Sequence, residues 1–386
     1  MTASCRSRQP GERILDRRTL NRALLERQLL LRRASMPAEQ AIAHLVAMQA
    51  QNPFDPYTAL WSRVEGFQPS ELATLLEERR VVRAVSMMRT TIHLLTADDW
   101  LALRPVLQVV QERGFAVGSP FGKQLKGIDI DAVVAAGRAL LDQKPRSGNA
   151  IGKLLAERWP GRDIASLGMA VRILLPLVQV TPRGVWGRSG QPTLATAEHW
   201  LGRSVGTDAA PDGMILRYIA AFGPATVMDI QSWCWLTRLG PIVERLRPQL
   251  RTFRDEQGRE LFDLPDGALP DPDTPAPVRF FPTYDNLFLS HKDRSRILGD
   301  MSDWLVEPEQ FNAIFLGGSF LVDGFLAGGW RIERDKRAGR ADIVLLPARR
   351  LSAAETTAVA DEAAGLVSFL AADAPDRNVR FEDPPH

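Results

Sequence analysis

Cysteine is nearly absent from this sequence: Cys5 and Cys234 are the two thiols in 386 residues. Two thiols cannot make a disulfide framework, so the chain is expected to fold on its core in a reducing cytoplasm. No apolar run approaches the ~20 residues that cross a bilayer, and the arginine-rich start has no apolar signal-peptide core behind it; no membrane is expected. Histidine is sparse, with five residues scattered at positions 44, 93, 199, 291 and 386. None forms a group with zinc spacing, and no glycine-rich phosphate loop follows a strand-like stretch. Neither a metal nor another cofactor is therefore expected.

What is present is ordinary for a soluble globular protein, with 45% hydrophobic and 24% charged residues and a formal net charge of +2. The length suits roughly two to four domains. Basic residues are mostly arginine. The first 33 residues alone carry Arg6, Arg8, Arg13, Arg17, Arg18, Arg22, Arg27, Arg32 and Arg33 against three acidic residues. Arginine is the better fork for phosphate, although GC-rich coding produces the same excess.

The chain is organised around Gln49-Ala50-Gln51. Ile42, Leu45 and Val46 fall at helical spacing and Gln49 continues that face, so a helix from about Pro37 is expected to run into the motif and end before Pro53. Gln49 then stands where an apolar residue belongs, and a buried amide needs a partner. If the chain unwinds after Gln49, the two amides project together, as alternate residues do in extended chain. Together they can hold a water or a polar ligand. The plainer alternative has Gln49 capping helix-end carbonyls and Gln51 solvated.

Around this motif a pattern recurs three times, helices followed by a two-stranded ribbon, which reads as three tandem winged-helix units. After an arm over 1–18, the first unit (19–127) has helices from 19, 37, 56 and 69 and a ribbon at 81–87 and 91–95. The second (128–204) has helices at 131–141, 149–158 and 166–175 and a ribbon at 178–181 and 185–187. The third (205–265) has helices at 213–222, 226–235 and 239–250 and a ribbon at 251–254 and 260–263. Linkers at 202–212 and 265–277, rich in Gly, Pro and Asp, support the partition. The remainder, 278–386, changes to short strands at 278–281, 287–290, 314–317, 320–322, 325–332 and 343–346. Ser352 and Glu355 form a capping box for a last helix. The fold class expected is α+β: three winged helices, then a small β-barrel-like domain with a C-terminal helix.

Four pieces in order, Gln49-Ala50-Gln51, MRTTIHLL at 88–95, PTYDNLFLSHKDR at 282–294 and GGWR at 328–331, resemble the AlkZ/YcaQ family of bacterial DNA glycosylases. The resemblance runs from about residue 19 to 372. Glutamine at both polar motif positions is similar to the AlkZ branch; the YcaQ-like branch has aspartate at the position of Gln51. The resemblance implies a concave channel for duplex DNA. It also implies monofunctional excision of alkylated purines, bulky natural-product adducts and crosslinks among them, with Gln49 and Gln51 as the catalytic pair. A monomer acting on the nucleoid is expected.

The chemistry fits these residue types. A purine alkylated at N7 is cationic and leaves readily, generating an oxocarbenium-like sugar. Such a reaction needs a positioned water and oriented dipoles more than a strong acid. Thr91 and His93 alternate on one strand and are expected to support the glutamines or orient a phosphate; His93 also reads as an ordinary core histidine. Arg89 is a phosphate or salt-bridge candidate. Tyr284, Asp285 and Asn286 form a turn, with His291 and Arg294 following within reach of DNA. Arg331 alternates outward from the strand, and Lys336 and Arg337 sit at a basic hairpin tip. Two other functions compete, a winged-helix regulator reading intact DNA and a non-catalytic binder of a toxic natural product.

Overall fold

The computed structural model describes residues 13–302 and 317–382. Helix α1 (Arg17–Arg27) starts at Asp16, whose carboxylate accepts from the Thr19 amide at 2.7 Å. It runs through the centre of the molecule. Asn21 donates to the carbonyls of Arg296 and Gly324, both at 2.7 Å, and the Arg22 guanidinium pairs with Asp323. One turn on, Arg27 clasps Asp263 at 2.6 and 3.0 Å. Just before α1, strand β1 (Ile14–Leu15) pairs in parallel with β8 (Arg251–Asp255). The expected free arm therefore ends by residue 13, and residues 1–12 lie outside the described part.

Four more helices build the first unit: α2 (Ala38–His44), α3 (Asp55–Arg63), α4 (Pro69–Glu77) and α5 (Ala97–Arg113). A six-stranded sheet then joins the first two units. It contains β2 (Met48–Gln49), β3 (Val81–Ala84), β4 (His93–Thr96), β5 (Arg146–Ser147), β6 (Leu177–Gln179) and β7 (Thr193–Thr196), in the order β2-β4-β3-β6-β7-β5. The seam is β3 against β6, with Arg83 opposite Gln179 and Ala84 opposite Val178. Strand β8 pairs with β9 (Glu260–Asp263) in the third unit. The last sheet runs linearly through β10 (Arg279–Phe281), β11 (Gly318–Val322), β12 (Phe325–Asp335), β13 (Arg340–Pro347) and β14 (Asp376–Phe381). The helix Ala353–Leu370 carries the chain from β13 to its parallel neighbour β14 and starts with the Ser352–Glu355 capping box. The architecture is mixed α+β. Among the described residues no helix is long and apolar enough to cross a membrane.

Several local expectations are corrected. Helix α2 stops at His44, well before the motif, because Val46 takes a left-handed turn (φ 67°) and the chain then extends into β2. The expected ribbon strand at 185–187 is loop; the partner of β6 is β7, which pairs Leu177 with Thr196. Residues 287–290, read as a strand, lie mostly in the helix Asn286–Leu289, started by Asp285 accepting from the Leu287 amide at 2.9 Å. The 17-residue helix α5 was not expected at all; Pro105 inside it hides its periodicity. The strand expected at 314–317 falls, apart from Gly317, outside the described residues.

The Asp285 turn is locked to α3 by a bidentate pair, Arg63 to Asp285 at 2.7 and 2.9 Å, with the two residues 1% and 5% exposed. Removing one partner strands the other charge in the interior. Asp285→Ala is expected to lower the unfolding free energy by about 3–5 kcal/mol, read from urea denaturation midpoints at unchanged slope.

Candidate active site

Strand β2 is the edge of the six-stranded sheet, and its register places Met48 opposite Leu94 and Gln49 opposite His93. The pairing continues one residue further, with the Ala50 amide donating to the Ile92 carbonyl at 2.9 Å. Gln49 is thus the last residue of the edge strand, and Gln51 follows two residues on, in a bend just past it. Their surroundings differ. Gln49 is 8% exposed, whereas Gln51 is open to solvent, its Oε1 accepting a long hydrogen bond (3.4 Å) from the Ile92 amide.

The Gln49 carboxamide is oriented by Arg89. Arg89 Nη2 donates to Gln49 Oε1 at 2.5 Å and to Asn286 Oδ1 at 3.3 Å, and Nη1 donates to the Trp233 carbonyl at 2.9 Å. Asn286 closes the cluster by donating to the Ala47 carbonyl at 2.6 Å. Four segments distant in sequence thus meet at the Arg89 guanidinium. Arg89 has only neutral partners here. Burial, with the nearby charge of Arg294 second, pulls its pKa down to about 10, and it remains cationic at neutral pH. The backbone around this point is unusual. Of ten non-glycine residues with positive φ among those described, Val46, Arg89, Thr90 and Tyr284 lie on the segments that converge at Gln49. Each such residue costs about 1–3 kcal/mol, and a β-branched valine in that region is especially disfavoured.

Arg83, which sequence reasoning missed, holds the motif from behind. Its guanidinium is 1% exposed and donates to the carbonyls of Ala50 (2.9 Å) and Pro53 (3.4 Å), and to Gln179 Oε1 of the second unit at 3.1 and 3.2 Å. Gly184 makes this possible: at φ 89° it needs glycine, and a Cβ there would sit 2.6 Å from the Arg83 Cδ. A charged residue interrupting Val81-Val82 was the available signal, but nothing in the sequence says what it reaches. Asp55 was also missed, because an Asp-Pro pair at a helix start reads as plain helix initiation.

The remaining candidates divide. His93 is fully buried with Nε2 unpartnered. Burial, then the Arg89 charge, lowers its pKa to about 3, so it is neutral. Thr91 donates to the Met88 carbonyl at 3.1 Å within the turn before β4. Asp285 is committed to Arg63. His291 is buried between Ser290 Oγ (3.0 Å) and the Phe222 carbonyl (3.1 Å), a structural placement. Tyr284 and Arg294 are half-buried near the Asn286 turn. Away from the motif, Arg331 is paired with Glu382 at 2.5 Å and Glu333 at 3.0 Å. Lys336 and Arg337 are exposed on the β12–β13 hairpin tip. The structure gathers Gln49, Arg89 and Asn286 into one contact network, with Thr91 and His93 on the neighbouring strand segment. No group of three or more His, Cys, Asp or Glu that could hold a metal ion occurs among the described residues.

A family model described as AlkZ-like, "DNA glycosylase AlkZ-like", matches residues 42–369, from α2 to the end of the last helix. Curated protein sequences give no match. Among solved structures, the chain is similar to Streptomyces sahachiroi DNA glycosylase AlkZ, with a TM-score of 0.72 at 18% identity, covering 96% of this chain and 100% of that one. At that identity the likeness speaks for the fold.

His93 supplies a pH test. In the unfolded chain it takes a proton near its ordinary 6.5, whereas in the folded protein it does so only near 3. Between those values the unfolded state holds the extra proton, so acidification below pH 6.5 costs stability. His93→Gln is expected to flatten the fall in stability between pH 6 and 4 by up to about 1.4 kcal/mol per pH unit, measured by urea unfolding across that range.

Proposed function

The chain belongs to the AlkZ-like DNA glycosylase family, and from that premise we propose that it hydrolyses the N-glycosidic bond of purines made cationic by substitution at N7. Bulky natural-product adducts and interstrand crosslinks are included in this reading. The observation that carries it is the end of the edge strand, where the Gln49 oxygen is pinned by Arg89 and Gln51 follows in the next bend. A carboxamide oxygen has two lone pairs. Gln49 Oε1 spends one on Arg89 and keeps one for a water, and Gln51 presents the second amide from the open side. Amides neither take up nor release a proton near neutral pH. The pair therefore suits a leaving group that already carries positive charge, with the amide dipoles facing the developing sugar cation.

Arg89 is a positioning residue in this scheme. It holds the Gln49 amide in one rotamer, and Asn286 holds Arg89. Arg294, a half-buried cation whose charge acts on Arg89, is where we place a DNA phosphate, and the exposed Lys336 and Arg337 extend the phosphate track. Thr91 and His93 support the sheet edge beneath. We read 19–127, 128–204 and 205–265 as winged helices and 278–386 as a barrel-like domain, set around a channel for duplex DNA in a monomer acting on the nucleoid. The shared sheet of the first two units supports a rigid floor for that channel.

Gln49→Ala and Gln51→Ala are each expected to reduce release of N7-methylguanine by about 100-fold or more, while DNA affinity stays within about twofold. Free base detected from a double variant at the unaltered rate would defeat the assignment. Arg89→Met is expected to lower kcat about tenfold with little change in KM, since it frees the Gln49 rotamer without removing the amide.

A further inference from the structure

Just past the motif the molecule holds a cavity of about 760 Å³. It lies between the start of α3, the loop that follows β6, strand β12 and the end of the last helix. Its walls are aromatic: Phe54, Trp186, Trp330 and Phe369 all line it. Phe54 and Trp186 meet edge to face at 6.1 Å, and Trp186 and Phe369 lie 5.6 Å apart. Phe54 leaves 41% of its surface uncovered. Asp55 lines the same cavity, and its Oδ2 is buried without a hydrogen-bond partner. Burial and the neighbouring Asp285 raise its pKa to about 7. Lys336 from the hairpin tip stands at the rim.

Each feature constrains the occupant. The volume is that of a small-molecule site and far too small for a duplex. Ring faces and edges at these spacings receive a flat aromatic group. The half-buried Asp55 carboxyl at the cavity wall offers an acceptor to a ligand N–H or O–H. Position supplies the rest. Phe54 follows Gln51 by three residues, and three residues of extended chain reach at most about 10 Å. Arg83 pins the carbonyls of Ala50 and Pro53 together, so the cavity and the motif are held in fixed register.

We propose that this cavity is a subsite for a planar aromatic ring bearing a hydrogen-bond donor, the non-nucleobase part of a bulky adduct, with the ring packed against Phe54 and Trp186 and its donor on Asp55. This rests on the excision reading above. It makes Phe54 and Asp55 specificity-determining residues: a methyl group at N7 does not reach them, and an aryl substituent does.

Two experiments on the full chain test it separately from the excision reading. In the first, the DNA-free protein is titrated with 2-aminoacridone, a flat fluorescent amine. Saturable binding is expected, weakened at least tenfold by Phe54→Ala, a half-exposed position whose loss leaves the core intact, and also by Asp55→Ala. No saturable binding, or binding unchanged by Phe54→Ala, overturns the subsite whatever the enzyme does to DNA. In the second, duplexes carrying N7-methylguanine or N7-(naphthylmethyl)guanine are compared. Phe54→Ala is expected to lower kcat/KM about tenfold on the aryl lesion and to leave the methyl lesion within twofold. Equal effects on both lesions overturn the subsite, whereas an unaltered protein that releases neither base, yet binds the dye as described, overturns the excision reading alone.

Discussion

A single buried guanidinium, that of Arg83, sets the geometry on which the rest of this site depends. It reaches the carbonyls on both sides of Gln51 and the side chain of Gln179 in the second unit. Burial lowers its pKa to about 10, so the charge persists at neutral pH although it sits in the interior. Desolvating such a cation is expensive, and the hydrogen bonds must offset it. The consequence is positional. The chain from Ala50 to Pro53 lies past the end of β2, and Arg83 ties both of its ends to β3. With Arg83, the motif, the start of α3 and the loop of the second unit move as one body. Tyr57 reinforces this by donating to the Gly184 carbonyl at 2.7 Å and accepting from the Trp186 amide at 3.0 Å.

Around that anchor the site is built from neutral dipoles oriented by cations. Arg89 aims Gln49, Asn286 aims Arg89, and the Asp285 carboxylate is consumed by Arg63. His93 is held neutral. The backbone strain at Val46, Arg89, Thr90 and Tyr284 is tolerated because the three converging segments over-determine one another. Preorganisation of this kind suits a reaction whose demand is orientation rather than proton transfer.

The arginine excess acquires a structural meaning. Arg22, Arg27, Arg63, Arg83 and Arg104 are each 5% exposed or less. Each donates to backbone carbonyls, and Arg22, Arg27 and Arg63 to carboxylates as well. Arg22, Arg27 and Arg63 join segments more than 200 residues apart, as Arg27 joins Asp263. A planar fork with five donors can satisfy several carbonyls at once, which an ammonium cannot do from one position. Part of the positive charge that reads as a nucleic-acid footprint is thus internal mortar: these five and Arg279 and Arg296 are buried.

By itself the sequence determined the local pieces. Helix starts at Pro69 and Ser352 and the strands at 251–254 and 260–263 follow from capping chemistry and alternation, which need only near neighbours. The order of four short segments was enough to place the chain beside the AlkZ-like glycosylases, because order along a chain survives without contacts. Tertiary structure decided what those pieces become. Helix α2 looked long enough to carry Gln49, because Ile42, Leu45 and Val46 are apolar at helical spacing; the turn at Val46 ends the helix, and pairing with β4 makes Met48 and Gln49 an edge strand. The 287–290 stretch is apolar enough for a strand and became helix because Asp285, locked to Arg63, caps it. Arg83 and the aromatic cavity were invisible because the groups that meet there lie on separate segments of the chain, and periodicity reports only which face a residue occupies, never what another part of the chain brings to meet it.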